Sequence, residues 1–337
     1  MVLQEQVALA PHTTLRVGGR AQFFVECSNN HEVIEALSYA REHNLPLAIL
    51  GGGANTLAPD GIFDGLVIKV TITGIDFIDE GPHVSLIIGA GTSWDEVVRK
   101  AAERGLWGIE NLAGIPGTVG GAVVQNIGAY GAELSEVFLW AEVVDKKNGA
   151  VSRITNMDAR FGYRTSIFKE RRSLVITCIA LKLSSSGAPR LSYPDLKKAV
   201  ERAALLSTPG EIGETVRRIR ALKFPHSEGT AGSFFKNPIL TVSEGEVLKK
   251  YFPELPLIPL SRDKVKVPLA WILDRGLGLK GYARGKVRLF ETQPLVLVTR
   301  EGATAHEVDL LADEVAKRVH EKTALRIERE VETLGAV

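Results

Sequence analysis

Gly114-Ile-Pro-Gly-Thr-Val-Gly-Gly-Ala-Val-Val-Gln-Asn-Ile-Gly-Ala-Tyr-Gly131 carries six glycines and no charged side chain in eighteen residues. Such a composition describes a backbone that something presses against closely. Glycine lets consecutive amide N–H groups turn inward at positive φ without a Cβ clash, and such a nest binds phosphate oxygens without a lysine. The same composition also serves a sharp turn that only packs strands together. A second stretch adds to the first reading: Leu47-Ala-Ile-Leu50 reads as a short buried strand and runs straight into Gly51-Gly-Gly-Ala-Asn-Thr56. Two phosphate-grade loops in one chain point to one dinucleotide.

The usual architectures for that ligand fail on their own patterns. Gly51-x-Gly53 lacks the third glycine of the nicotinamide fingerprint, since Thr56 stands there, and no acid lies in 66–74 to hold a ribose. No Gly-Lys-Ser/Thr follows either loop, so a P-loop fails too. With 337 residues, the chain is long enough for two or three subdomains. Its 41 basic and 40 acidic residues leave a formal charge of +1, against the basic excess that a nucleic-acid footprint or an electrostatic membrane attachment requires. Cys27 and Cys178 are too few and too distant for a disulfide framework or a metal-ligand pair, and no His-x-x-His or Cys-x-x-Cys pattern implies a metal. The N-terminus has no signal-like apolar run and no stretch is long enough to span a bilayer, so a reducing cytoplasm is expected.

Periodicity predicts a strand over 22–27, a helix capped by Asn30 with Val33, Ile34, Leu37 and Ala40 on its apolar face, and strands at 47–50 and 66–69. A second lobe begins at 84–88. Its helix carries Trp94, Val97, Val98 and Ala101 on one side and is capped by Thr92 or Ser93; the long glycine loop and strands at 137–145 and 174–183 follow. Helical patterns over 212–222, 267–277 and 306–319, with a strand at 295–299, make a further α+β part, and 325–331 reads as a terminal strand.

Three places could carry chemistry. Gly162-Tyr-Arg-Thr-Ser-Ile-Phe-Lys169 sets Arg164 among aromatic and apolar residues, where a guanidinium needs an anion, be it a ligand or a structural carboxylate. Gly232-Ser-Phe-Phe-Lys-Asn-Pro238 places Ser233 between a glycine and two aromatics, a proton donor or a plain turn serine; no Gly-x-Ser-x-Gly elbow marks it as a hydrolase nucleophile. Glu328, Glu330 and Glu332 would share one face of a regular strand, and a solvated acidic edge accounts for at least two of them.

The ordered set Thr13-Thr-Leu-Arg-Val-Gly-Gly19, Gly51-Gly-Gly-Ala-Asn55, Ile115-Pro-Gly-Thr-Val-Gly-Gly121, Gln125-Asn-Ile-Gly-Ala-Tyr-Gly131, Tyr163-Arg164, Gly232-Ser-Phe-Phe-Lys-Asn-Pro238 and Glu330-Val331 resembles one family over essentially the whole chain, the UDP-N-acetylenolpyruvoylglucosamine reductases of peptidoglycan precursor synthesis. That resemblance implies an α+β protein with a two-lobed FAD-binding fold of the vanillyl-alcohol-oxidase (PCMH) type and a separate α+β substrate-binding domain. Applied to this chain, the lobes are expected at 1–72 and 73–205, with the PCMH-type region at about 15–183, the substrate domain at 206–324, and a C-terminal strand at 325–337 returning to the lobes.

By the same resemblance, non-covalent FAD sits on Gly51, Gly52, Gly53, Ala54, Asn55 and Thr56 and on Gly114, Pro116, Gly117, Thr118, Gly120, Gly121, Gln125, Asn126, Gly128 and Ala129. Tyr130, Tyr163, Tyr193, Lys223, Asn237 and Gln293 match substrate-binding positions, and Arg164, Ser233 and Glu330 match the catalytic ones. NADPH would reduce FAD, and hydride would pass to the enolpyruvyl ether of a UDP-sugar while Ser233 supplies a proton and Arg164 steadies the enolate. Tyr193 in Leu191-Ser-Tyr-Pro-Asp-Leu196 suggests the subtype whose tyrosine loop closes over the nucleotide, and a monomer is expected. Ala54 where serine is common, Glu332 where arginine is common, and Leu269-Ala270 before Trp271 are departures that leave the three catalytic positions untouched.

Overall fold

The computed structural model describes residues 1–201, 206–225 and 227–335. Residue 205, where the second lobe is expected to end, lies outside the described residues, as do 336 and 337 at the end of the expected terminal strand. The chain divides into two compact units. The first comprises 1–7, 21–53 and 63–221; the second comprises 8–20, 54–62 and 222–337.

In the first unit, strands Gln4–Ala8, Arg20–Cys27, Ile62–Val70 and Leu47–Leu50 form one sheet in that order, its last pair parallel in the register Leu47 to Leu66. Between the second strand and Leu47–Leu50 runs the helix Asn30–Glu42, which buries Val33, Ala36, Leu37 and Ala40. A second, antiparallel sheet has the order Val151–Thr155, Phe138–Asp145, Leu174–Ser184, His83–Gly89, Ile75–Glu80. Helix Trp94–Glu103 follows His83–Gly89 and buries Trp94, Val97, Val98 and Ala101, the face its spacing predicts.

In the second unit, an antiparallel sheet runs Gly229–Ser233, Val296–Thr299, Val287–Leu289, Ala283–Arg284. Helix Ala305–Thr323 buries Val308, Leu311, Ala312, Val315 and Val319, and its Thr304–Glu307 capping box closes the first turn. Asp60 adds to that cap by accepting from the N–H groups of Ala305 and His306.

Several local expectations are corrected. The cap of the first helix is Asn29, whose side chain accepts from Glu32 N–H, while Asn30 donates across to Glu142. Ser93 stands at the N-cap of the second helix, as one of the two expected positions, but its side chain makes no capping bond, and the Thr92 hydroxyl bonds the backbone of Gly74. Residues 114–131 are not all loop, because Val119–Val124 form a helix that buries Val119, Ala122 and Val123. The pattern over 267–277 yields only Leu269–Trp271 and a wide π turn, Ile272–Gly276, against which the Phe252 ring packs so closely that a Cβ on Gly276 would lie 2.9 Å from it. Segment 325–331 is not a regular strand. It pairs with 234–236 around the Phe235 to Arg329 bridge and then changes partner, so that Glu332–Thr333 runs parallel to Thr56–Leu57. The period-two face proposed for the three glutamates therefore has no continuous ladder beneath it.

Candidate active site

In the first unit the two glycine-rich stretches meet. A Cβ on Gly52 would lie 2.7 Å from Gly117 Cα, and one on Gly51 would lie 2.6 Å from the Thr118 hydroxyl, so both positions need glycine for the approach. An isolated bridge between Ser93 and Thr118 uses the N–H groups of Trp94 and Val119, which turns Thr118's own N–H to the opposite side. The Thr118 hydroxyl is buried and has no hydrogen-bond partner among the described residues. A bare-backbone cradle with an orphaned hydroxyl is the donor set a diphosphate completes. The N–H groups of Val119 and Gly120 are not part of it, since they donate to Thr92 and Ala90.

Gly114 stands at the head of this loop at φ 68°, held at both backbone groups. Its N–H donates to Asp95 at 2.7 Å, and its carbonyl accepts from Arg220 Nε at 3.0 Å. Asp95 is in turn gripped by Arg217 Nε at 2.9 and 3.1 Å. Burial opposes the charge on Asp95, but Arg217 and the Gly114 N–H outweigh it and hold the carboxyl below its ordinary range. Sequence reasoning passed over Asp95, Arg217 and Arg220; the signal was the i, i+3 spacing of two arginines on helix Pro209–Lys223.

The far end of the same stretch is tied to the Arg164 turn. Asn126 donates to Glu133 and to the Gly162 carbonyl and accepts from Ser135 N–H, so its side chain is spent on the loop itself. Ser166, fully buried, donates to the Val124 carbonyl at 2.6 Å. Arg164 Nη2 donates to the Gly128 carbonyl at 2.8 Å, and its guanidinium lies 5.3 Å from the Tyr163 ring. Asn126, Tyr130 and Arg164 all adopt left-handed φ, 43°, 49° and 57°, a conformation that costs a non-glycine residue about 1–3 kcal/mol and gathers at functional sites. Gln125 is buried, and Gly128 and Ala129 begin a small hairpin.

Tyr130 and Tyr193 meet edge to face, with ring centroids 5.1 Å apart. Burial pushes the Tyr130 phenol up to about 12 and raises that of Tyr193, whose ring is nonetheless 40% exposed. Asn111, also missed from sequence, donates to the carbonyls of Tyr130 and Arg190 and so joins the segments that carry the two tyrosines.

In the second unit, the segments that carry Ser233 and Glu330 are paired through their backbones. Thr230 pairs with Val298 but Ser233 with Val296, an extra residue on one strand, with Gly232 at φ 78°. That is a β-bulge, which re-aims the residue that follows it. The Glu330 N–H donates to the Phe234 carbonyl at 2.8 Å, and its own carbonyl accepts from Asn55 Nδ2 at 2.9 Å. Asn55 also receives Glu332 N–H on its backbone oxygen, so it braces the segment on both sides of Val331. Arg329 is held by Asp309 and Asp313, and Glu328 by Lys236. Asn237 caps the turn at Leu269 through Oδ1. Lys223 accepts the Thr292 hydroxyl on its backbone oxygen at 3.4 Å, which sets it beside the turn that carries Gln293.

A backbone cradle fit for a diphosphate in the first unit, with the Ser233 and Glu330 segments paired in the second, suits one class, the flavin-dependent oxidoreductases. An FAD binding domain model matches residues 21–155, and the C-terminal domain model of UDP-N-acetylenolpyruvoylglucosamine reductase matches 224–334. The chain is 36% identical to the UDP-N-acetylenolpyruvoylglucosamine reductase of Pseudomonas aeruginosa over 97% of its own length and 98% of the relative's, and 35% identical to that of Escherichia coli O157:H7 over 98% and 96%. The crystal structure of the reductase from Thermus caldophilus superposes with a TM-score of 0.68 at 27% identity, covering 98% of this chain and 99% of that one. The chain belongs to the UDP-N-acetylenolpyruvoylglucosamine reductase family.

Proposed function

We propose that Ser233 gives the proton and Glu330 orients or relays it in the reduction of an enolpyruvyl ether. The pairing of Glu330 with Phe234 behind the Gly232 bulge is the observation that carries this reading. The protein is an FAD-dependent oxidoreductase that converts UDP-N-acetylenolpyruvoylglucosamine to UDP-N-acetylmuramate with NADPH. FAD, held by the two glycine-rich stretches, would supply the two-electron chemistry that carries hydride from NADPH to the enolpyruvyl methylene carbon.

The residues fit that cofactor: Gly51, Gly52, Gly117 and Thr118 offer a close backbone and an unpaired hydroxyl to its diphosphate. The roles of Gly53, Ala54, Thr56, Pro116, Gly120 and Gly121 are assigned to the same cofactor by their place in these stretches. Asn55 and Asn126 serve it indirectly, by holding backbone in place. Protonation falls to Ser233 at the carbon adjacent to the one that gains hydride, a step for which a positioned acid contributes about 10²–10⁴ in rate. A serine hydroxyl is a weak acid, so a cation must steady the alkoxide it leaves, a role assigned to Lys223 or Arg164. Arg164, preset by its turn, steadies the negative charge that develops on the enolate.

Lys223, Asn237 and Gln293 take the nucleotide and carboxylate of the substrate. Tyr193, with Tyr130 and Tyr163, closes over its nucleotide, which makes the chain the tyrosine-loop subtype. It acts as a cytoplasmic monomer; among the described residues no helix is long and apolar enough to cross a membrane. The FAD-binding lobes at 1–72 and 73–205, the substrate domain at 206–324 and the closing segment 325–337 remain the proposed domain plan. The experiment is an anaerobic titration: NADPH bleaches the flavin, and UDP-N-acetylenolpyruvoylglucosamine restores its absorbance with formation of UDP-N-acetylmuramate. Bleaching without recovery on adding substrate would overturn the reading.

A further inference from the structure

We propose that Arg288 is a positioning residue for the nucleotide end of the substrate, acting by locking together the two chain segments that carry Lys223 and Gln293. The inference rests on the assignment of those two residues to the substrate. Arg288 lies on the inner strand Val287–Leu289, paired with Val298, and its side chain is only 12% exposed. Its guanidinium forks between two carboxylates: Nη2 donates to Glu228 and Nη1 to Glu291.

Glu228 lies five residues beyond Lys223, and Glu291 lies two residues before Gln293. The two segments already touch where the Thr292 hydroxyl meets the Lys223 carbonyl. The turn that bears Gln293 is closed on itself, since Phe290 N–H donates to the Val296 carbonyl and Val296 N–H to that of Gln293. A tight turn of this kind moves as a body, so anchoring its leg at Glu291 fixes Gln293.

A bridge made only for stability would be an odd choice here. Arg288 Nε is buried with no hydrogen-bond partner; a largely buried pair such as that with Glu228 adds little stability over apolar packing, and a pair with an exposed carboxylate such as Glu291 adds little of its own, whereas fixing register is the best-attested use of the former. The planar fork of arginine, which a lysine lacks, is what allows one side chain to hold two carboxylates at a set spacing.

The test uses the FAD-loaded full chain with Arg288→Met and Arg288→Lys. Arg288→Met is expected to raise KM for UDP-N-acetylenolpyruvoylglucosamine about tenfold with kcat nearly unchanged, the signature of lost uniform binding, and Arg288→Lys to fall in between. A KM that stays put while kcat falls in step with thermal stability overturns the inference, because that is what a structural ion pair does. Lys223→Ala and Gln293→Ala are measured beside them. If those two raise KM and Arg288→Met does not, the positioning role alone fails; if neither raises KM, the substrate assignment beneath it fails as well. Should Arg288→Met not fold, Glu291→Gln, at a carboxylate 57% exposed, takes its place, and an unchanged KM there also overturns the proposal.

Discussion

The two units hold their candidate residues by different means. In the first, the backbone itself is shaped: Gly51 and Gly52 admit Gly117 and Thr118 at distances no Cβ allows, and Asn126, Tyr130 and Arg164 sit in left-handed φ. In the second, register does the positioning, since one bulged strand and one strand-like tail pair the segments that carry Ser233 and Glu330. A site that grips a rigid diphosphate needs fixed amide donors, whereas a proton donor needs only one side chain aimed correctly. Backbone curvature serves the first need and pairing register the second.

That contrast can be broken in order of expected effect. Ser233→Ala should lower kcat by roughly 10²–10⁴ while FAD stays bound at the wild-type level, and a loss of flavin in this variant would mean that the Gly232 bulge also holds the cofactor. Gly52→Val drives a side chain into the Gly117 backbone; overpacking costs about 1–3 kcal/mol, so FAD affinity, read by flavin fluorescence, should weaken roughly 10- to 100-fold. Gly232→Ala meets only Phe224, at 3.9 Å, and therefore tests conformation alone. An alanine at left-handed φ costs about 1–2 kcal/mol, and a loss of about tenfold in kcat with FAD binding intact is expected; unaltered turnover would show that the bulge does not aim Ser233.

The smallest effect on turnover is expected from Asp95→Asn. It removes the carboxylate that grips Arg217 and Gly114, and loss of such charged hydrogen bonds costs ~1.5–3 kcal/mol, seen as a lower Tm at neutral pH. Because the folded carboxyl is held below its ordinary range, its stabilising effect is complete above the unfolded value of about 3.9 and lost as pH falls through the folded one. The gap in Tm between the wild type and Asp95→Asn should therefore narrow on acidification below about pH 3.9, and a constant gap would place the role of Asp95 elsewhere.

The first unit was the more legible in sequence. Glycine clustering at 51–53 and 114–121 is a local signal, and so is the helical face of Trp94, Val97, Val98 and Ala101. What escaped depends on partners far along the chain. Asn55 reads as a phosphate-loop residue, yet its amide bonds Glu330, 275 positions away. Asp95 looks like an ordinary first-turn acid until Arg217 and Gly114 arrive beside it. The tail at 325–331 alternates like a strand, but its partner changes midway from 234–236 to 55–57, and no periodicity encodes that switch.

The division of labour is tested most directly by rapid mixing of Ser233→Ala under anaerobic conditions, following flavin absorbance through each half of the cycle. Reduction by NADPH is expected at the wild-type rate, followed by reoxidation with UDP-N-acetylenolpyruvoylglucosamine slowed by roughly 10²–10⁴. Reoxidation at the wild-type rate would contradict this and remove Ser233 from proton delivery.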